Sequence, residues 1–224
     1  MTTHALMHDI LLRFNMFECP ICDLLKSTSD RRLNQLLYEH VTDPDFVTNF
    51  LNGDGFCKHH ANEMMKKGDP LAHAILYSHL LDKKQPLFAV NKIKQKKNSL
   101  PSPTCYMCSH ESRNEKNYVE AFVKSYSNKA FKDAYTVNGI LCLTHFDLVK
   151  SHPKMIKSFE YNQFVNTTQE KFNTLYGVLS EIKRKSDYRY KDESWTTREK
   201  KAWKQVVYLT SDQYDYLRKK TIMK

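Results

Sequence analysis

The sequence predicts an all-α protein made of two duplicated helical halves and a C-terminal helical extension. Three observations carry this. Apolar residues recur at helical spacing through most of the 224 residues, and only five are glycine, too few for a sheet with many turns. One cysteine pattern also occurs twice. Cys19-Pro20-Ile21-Cys22 is answered by Cys57-Lys58-His59-His60, and Cys105-Tyr106-Met107-Cys108 by Cys142-Leu143-Thr144-His145. The corresponding cysteines are offset by 86 and 85 residues, and all six cysteines of the chain are used. A matched repeat of this kind is the signature of a duplicated framework.

The elements follow in order. Residues His4 to Phe14 read as a short amphipathic helix with Leu6, Ile10, Leu11 and Phe14 on one side, expected to lie over the first site. Pro20 suits a first helical turn, and Leu24, Leu25, Leu33, Leu36 and Leu37 continue a helix to about His40, with a polar break at Ser27 to Asp30. Asp43-Pro44 caps and starts a short helix carrying Phe46, Val47 and Phe50, which ends at Gly53-Asp54-Gly55. The next helix, Lys58 to Lys67, begins with Cys57 and closes at Gly68. A further helix from Leu71 to about Leu81 presents Leu71, Ile75, Leu76, His79 and Leu80 as a core face, with His73 and His79 as packing or surface residues.

The second copy repeats the plan. Val119, Phe122, Val123 and Tyr126 face inward, Ser127 is the expected cap, and Phe131 and Tyr135 stand where Phe46 and Phe50 stood. A helix from about Lys154 to Lys185 is expected to pack across both halves. The tail adds Trp195, a helix from Thr197 to Tyr208 with Trp203 and Val206, and a last short helix after Ser211; its aromatics are expected to cover the core. The domain reading is therefore 1–97 for the first half, 98–104 for a linker, 105–185 for the second half and 186–224 for the extension.

The repeated pattern points to metal. A C-x2-C turn converges two thiolates on one ion, and C-x2-H at a helix start presents two more donors one turn apart. Three sulfurs and one imidazole complete a tetrahedral set suited to Zn2+. Two zinc sites per chain are expected, Cys19/Cys22/Cys57/His60 and Cys105/Cys108/Cys142/His145, each pinning its own half. An iron-sulfur cluster is the alternative cofactor for the same residues.

The combination of Cys19-Pro20-Ile21-Cys22, Asp43-Pro44-Asp45, Gly55-Phe56-Cys57-Lys58-His59-His60, the second C-x2-C with C-x2-H, and Asp187-Tyr188-Arg189-Tyr190 before Trp195 resembles a bacterial protein family of unknown function. The resemblance covers nearly the whole chain. It implies a duplicated cysteine/histidine framework in a helical protein and no activity. Tyr106 stands in the second copy where the first has Pro20, so the two sites are not expected to be equal.

Composition bounds the function. No apolar run approaches the eighteen residues a membrane span needs, and residues 1–15 lack the uninterrupted apolar core of a signal peptide. A cytoplasmic protein with ligand cysteines is the expectation. The net charge of +10 gathers at Lys92, Lys94, Lys96 and Lys97, at Lys183 to Lys185, at Lys200 and Lys201, and at Lys219 and Lys220. Nucleic acid is accordingly a possible partner, although no nucleic-acid motif accompanies the charge. G-x-S-x-G, P-loop and H-E-x-x-H motifs are absent, and Asp9, Asp43, Asp45 and Asp54 suit capping or solvation. The reading is a zinc-binding protein acting as a binding or adaptor module for a protein partner, with an enzyme left open as the less expected reading. Redox chemistry at the cysteines is the competing function, weakened by the absence of a βαβ context.

Overall fold

The computed structural model describes residues 3–88, 105–190 and 192–218, and every regular element among them is helical. The linker expected at 98–104, the lysines at 92–97, and Lys219 and Lys220 lie outside the described residues. Each copy has a long helix, then two short ones. In the first these are α2 (Pro20–Glu39), α3 (Pro44–Asn52) and α4 (Lys58–Lys67), preceded by α1 (Thr3–Leu11) and followed by α5 (Pro70–Lys84). In the second they are α6 (Tyr106–Ser125), α7 (Lys129–Asn138) and α8 (Leu143–Lys150). The remaining elements are α9 (Pro153–Ile156), α10 (Tyr161–Lys185), α11 (Thr197–Thr210), α12 (Asp215–Arg218) and two short 3-10 turns, Gln85–Phe88 and Tyr188–Tyr190.

Caps explain the boundaries. Asp43 accepts from the amides of Asp45 and Phe46 ahead of α3, Asp69 from Ala72 ahead of α5, and Asn128 from Phe131 ahead of α7. Asn128 thus holds the position expected of Ser127, whose hydroxyl instead donates back to the Lys124 carbonyl. Thr196 and Glu199 form a reciprocal capping box on α11. Gly68, at φ +74°, ends α4 in the left-handed region, where an L side chain would be strained. Gly139, between α7 and α8, is needed for space: a Cβ there would meet Tyr135 Cδ2 at 2.4 Å.

Four expectations change. α2 is continuous through Ser27 to Asp30, because Ser29 turns inward and finds a buried partner instead of breaking the helix. The helix expected from Lys154 to Lys185 is interrupted after Ile156, which leaves Ile156 and Phe159 in solvent. On α5, Ala72 and Leu76 are buried, while Leu71 and His79 face outward. Both tryptophans are exposed rather than covering the core, Trp195 at 37% and Trp203 at 52%; the buried face of α11 is Glu199, Ala202 and Leu209.

The chain divides into two compact units, and their borders differ from the expected halves. One unit comprises residues 1–25 and 115–215, the other 26–114 and 216–224. The borders fall inside α2 and α6, so each long helix serves both units. In the first unit α1 packs on α7, and α10 packs on α11. Its core is aromatic: Phe122, Phe131, Tyr135 and Phe164 are fully buried, with Phe14 edge-on to Phe131 at 5.2 Å. The other unit is centred on Leu33, Leu36, Phe46, Phe50, Met64 and Leu76. Phe46 and Phe50 in one unit and Phe131 and Tyr135 in the other occupy matching places, as the repeat predicts. α10 belongs wholly to the first unit, where a helix spanning both halves was expected.

Candidate metal centres

All eight predicted donors converge into two groups of four, but with partners exchanged. The first centre is Cys19, Cys22, Cys142 and His145; the second is Cys57, His60, Cys105 and Cys108. Each takes its C-x2-C from one copy and its C-x2-H from the other. The within-copy pairings Cys19/Cys22/Cys57/His60 and Cys105/Cys108/Cys142/His145 are therefore corrected, and with them the borders of the two halves. The first centre lies wholly in the unit of residues 1–25 and 115–215, the second wholly in the other unit.

Helix starts place the donors. α2 and α6 each open one residue after the first cysteine of a C-x2-C, and the Cys19 and Cys105 carbonyls accept the first helical bonds, from Asp23 and Ser109. Cys57 and Cys142 are the N-cap residues of α4 and α8, with nearly identical extended backbones. A thiolate at a helix N-terminus is favoured by the unpaired amides and the dipole, and the His145 amide indeed points at Cys142 Sγ, 3.4 Å away.

The geometry fits one ion per centre. In the first, Cys22 Sγ is 3.7 Å from Cys142 Sγ, and His145 Nδ1 stands 3.5, 3.2 and 3.2 Å from the sulfurs of Cys19, Cys22 and Cys142. In the second, Cys57 Sγ is 3.5 Å from Cys108 Sγ, and His60 Nδ1 stands 3.2, 3.6 and 3.5 Å from Cys57, Cys105 and Cys108. A tetrahedron with metal–sulfur bonds of about 2.3 Å and metal–nitrogen bonds of about 2.0 Å has edges of roughly 3.5–3.8 Å. The donors sit on such edges, slightly contracted.

Electrostatics supply a second test. Three thiols this close cannot all ionise unless a cation lies among them. Burial opposes ionisation of Cys19, yet bonds from Cys142 and Cys22 hold it well below the ordinary thiol range, while the contact with Cys142 drives Cys22 far above it. Cys57 and Cys108 split in the same way. Both histidines are pushed up, His60 to about 11 and His145 to about 9, because bonds to sulfur and carboxylate outweigh burial. A metal ion replaces this conflict with four simultaneous attractions, so the donor sets suit an ion.

Two further groups complete the centres. Each histidine turns Nδ1 to the sulfurs and Nε2 to a buried glutamate: His60 to Glu111 at 3.0 Å, and His145 to Glu115 at 3.2 Å. Such carboxylates fix the ring and raise the basicity of the ligating nitrogen. Ser29 donates to Glu111. None of these three was singled out from the sequence, although a signal was present. Glu111 and Glu115 continue the inward stripe from Cys108 to Phe122, and Ser29 lies on the stripe of Cys22, Leu25, Leu33 and Leu36. Polar groups on an apolar stripe need partners.

The basic runs give less than the sequence promised. Arg184 is bidentate to Glu193 and also bonds Glu181, and Lys185 pairs with Glu199, so most of the run from Lys183 is neutralised. His73 bonds the Asp69 carbonyl and joins neither centre. Among the described residues no helix is long and apolar enough to cross a membrane.

Comparison with known proteins agrees with the resemblance read from the residues. The model of a family of unknown function, DUF6062, matches residues 13–215. A relative from Caldicellulosiruptor sp. (strain Rt8B.4), described as an uncharacterized 23.9 kDa protein in the xynA 3' region, is 28% identical over 195 residues, covering 87% of this chain and 95% of its own. No solved structure matches.

Proposed function

The chain belongs to the DUF6062 family, which brings no activity with it, and from its own geometry we propose a zinc protein whose two Cys3His centres are structural. The carrying observation is the convergence of eight donors from four separate helix starts into two closed four-donor sets. Zinc is favoured by the donor chemistry, three thiolates and one imidazole at tetrahedral spacing. An iron-sulfur cluster is disfavoured by compactness. Its own iron and sulfide atoms would hold the thiolates well apart, whereas all four donors here lie within 4.8 Å of one another.

Four protein ligands leave no coordination position for a substrate, which supports a structural rather than catalytic ion. Structural zinc supplies about 10–16 kcal/mol of apparent binding energy, comparable to the 5–15 kcal/mol net stability of a domain. The ions would hold the helix starts, and the remaining surface would act as a binding or adaptor module for a protein partner. The test is elemental analysis of protein purified without oxygen, followed by chelation. Two zinc ions per chain and loss of helical circular dichroism on chelation are expected. Iron with visible absorption, or a metal-free protein with unchanged dichroism, would overturn the reading.

A further inference from the structure

The first unit carries a cleft of 620 Å3 between the loop after α1 and helices α10 and α11. Its volume lies within the range of pockets that hold small organic ligands. The walls are apolar where Met16, Phe17, Ile140 and Leu175 line them. The rest of the lining is polar, with two neutral amides, Asn15 and Gln205, and four cations: Lys171 on α10, and Arg198, Lys201 and Lys204 on α11. No lining residue is acidic. Among the described residues no ion pair involves these four, although their neighbours Lys185 and Arg184 are paired with glutamates.

Lys171 is the most informative of the four. Only 9% of it is exposed, and its ammonium is held by neutral groups: it donates to the carbonyls of Tyr135 at 3.0 Å and Thr136 at 2.6 Å and to the Met16 sulfur at 3.5 Å, and lies over the Tyr135 ring. Burial lowers its pKa, with no carboxylate acting against that. A buried cation without a counter-charge is costly, and three more cations at the mouth of the cleft raise the positive potential further. An anion entering the cleft would relieve both.

We propose that this cleft binds an anionic amphiphile, a small molecule with a phosphate or carboxylate head among the four cations and an apolar body against Met16, Phe17, Ile140 and Leu175. None of the eight metal donors lines the cleft, although Phe17 and Ile140 stand two residues before Cys19 and Cys142, and the proposal holds whichever ion fills the centres.

The test is calorimetric titration of the full-length, metal-containing protein with octyl phosphate below its micelle concentration. Inorganic phosphate, 1-octanol and phosphatidylglycerol vesicles are the comparison probes. One-to-one binding of octyl phosphate is expected, with inorganic phosphate and octanol each weaker by about tenfold or more. The exposed double variant K201E/K204E should lose about tenfold or more in affinity with metal content and circular dichroism unchanged, while K201R/K204R retains it. Equal affinity for octanol, equal affinity for inorganic phosphate, or unchanged binding by K201E/K204E would overturn the proposal. Binding to vesicles without binding to monomeric octyl phosphate would also overturn it, by assigning the cations to a membrane surface.

Discussion

The two metal centres are built from the same parts and sealed differently. In the first, all four donors are buried. Tyr214, just before α12, donates to the Cys22 carbonyl at 3.2 Å, and α11 packs on α8, so the C-terminal extension closes over the site. The second centre leaves Cys57 partly exposed. Its histidine clamp also differs. Glu115 and Ser29 hold corresponding places ten residues after Cys105 and Cys19. Glu115 bonds His145 from the same copy, whereas Ser29 is too short for that role and supports Glu111, which reaches His60 from the other copy. Duplication fixed the donors; later asymmetry decided how tightly each is covered.

The comparison breaks most visibly by removing a ligand. Cys22→Ser should unfold its unit, since the zinc energy of about 10–16 kcal/mol matches or exceeds a domain's net stability. Cys57→Ser should leave one zinc bound and the first unit folded, as read by metal content and thermal melts. Two variants with indistinguishable melts would make the centres equivalent.

Kinetics sharpen the contrast next. A chelator or thiol reagent should remove zinc in two phases, the fast one from the second centre through Cys57, and Cys57→Ser should abolish that phase. A single phase covering both ions would contradict the difference in burial. Acidification should release both ions, because protons compete for the thiolates and imidazoles.

The carboxylate clamps come third. Glu111→Gln and Glu115→Gln should each weaken zinc at their own centre by about 10- to 100-fold, measured by competition with a chromogenic chelator. Loss at the opposite centre would show the assignment to be wrong. The smallest effects belong to the supporting bonds. Ser29→Ala and Tyr214→Phe should each cost about 1 kcal/mol in stability, and Tyr214→Phe alone should speed release from the first centre.

Much of this was legible beforehand. Helix α4 runs from Lys58 to Lys67 as read, Asp43 caps α3, and Phe131 and Tyr135 are buried where Phe46 and Phe50 predicted them. These depend on local chemistry: an N-cap, a left-handed glycine, a helical stripe. What failed depended on neighbours. Ser29 looked like a helix breaker until a glutamate met it, and Trp203 looked like a core residue until α11 packed on the face of Ala202 and Leu209. Glu111 and Glu115 passed unnoticed because a charge on an apolar stripe has meaning only once its partner is known.

The sequence by itself determined which eight residues can hold metal, because C-x2-C and C-x2-H spacing sets donor geometry within a single turn. Which couple meets which was decided only by tertiary structure. Pairing within the first copy would span 35 residues from Cys22 to Cys57, whereas the observed contact from Cys22 to Cys142 spans 120. The longer loop costs only about 1 kcal/mol more in closure entropy. So small a preference gives way to the packing of α2 and α6 in their two cores, and the chain joins its ends across the duplication.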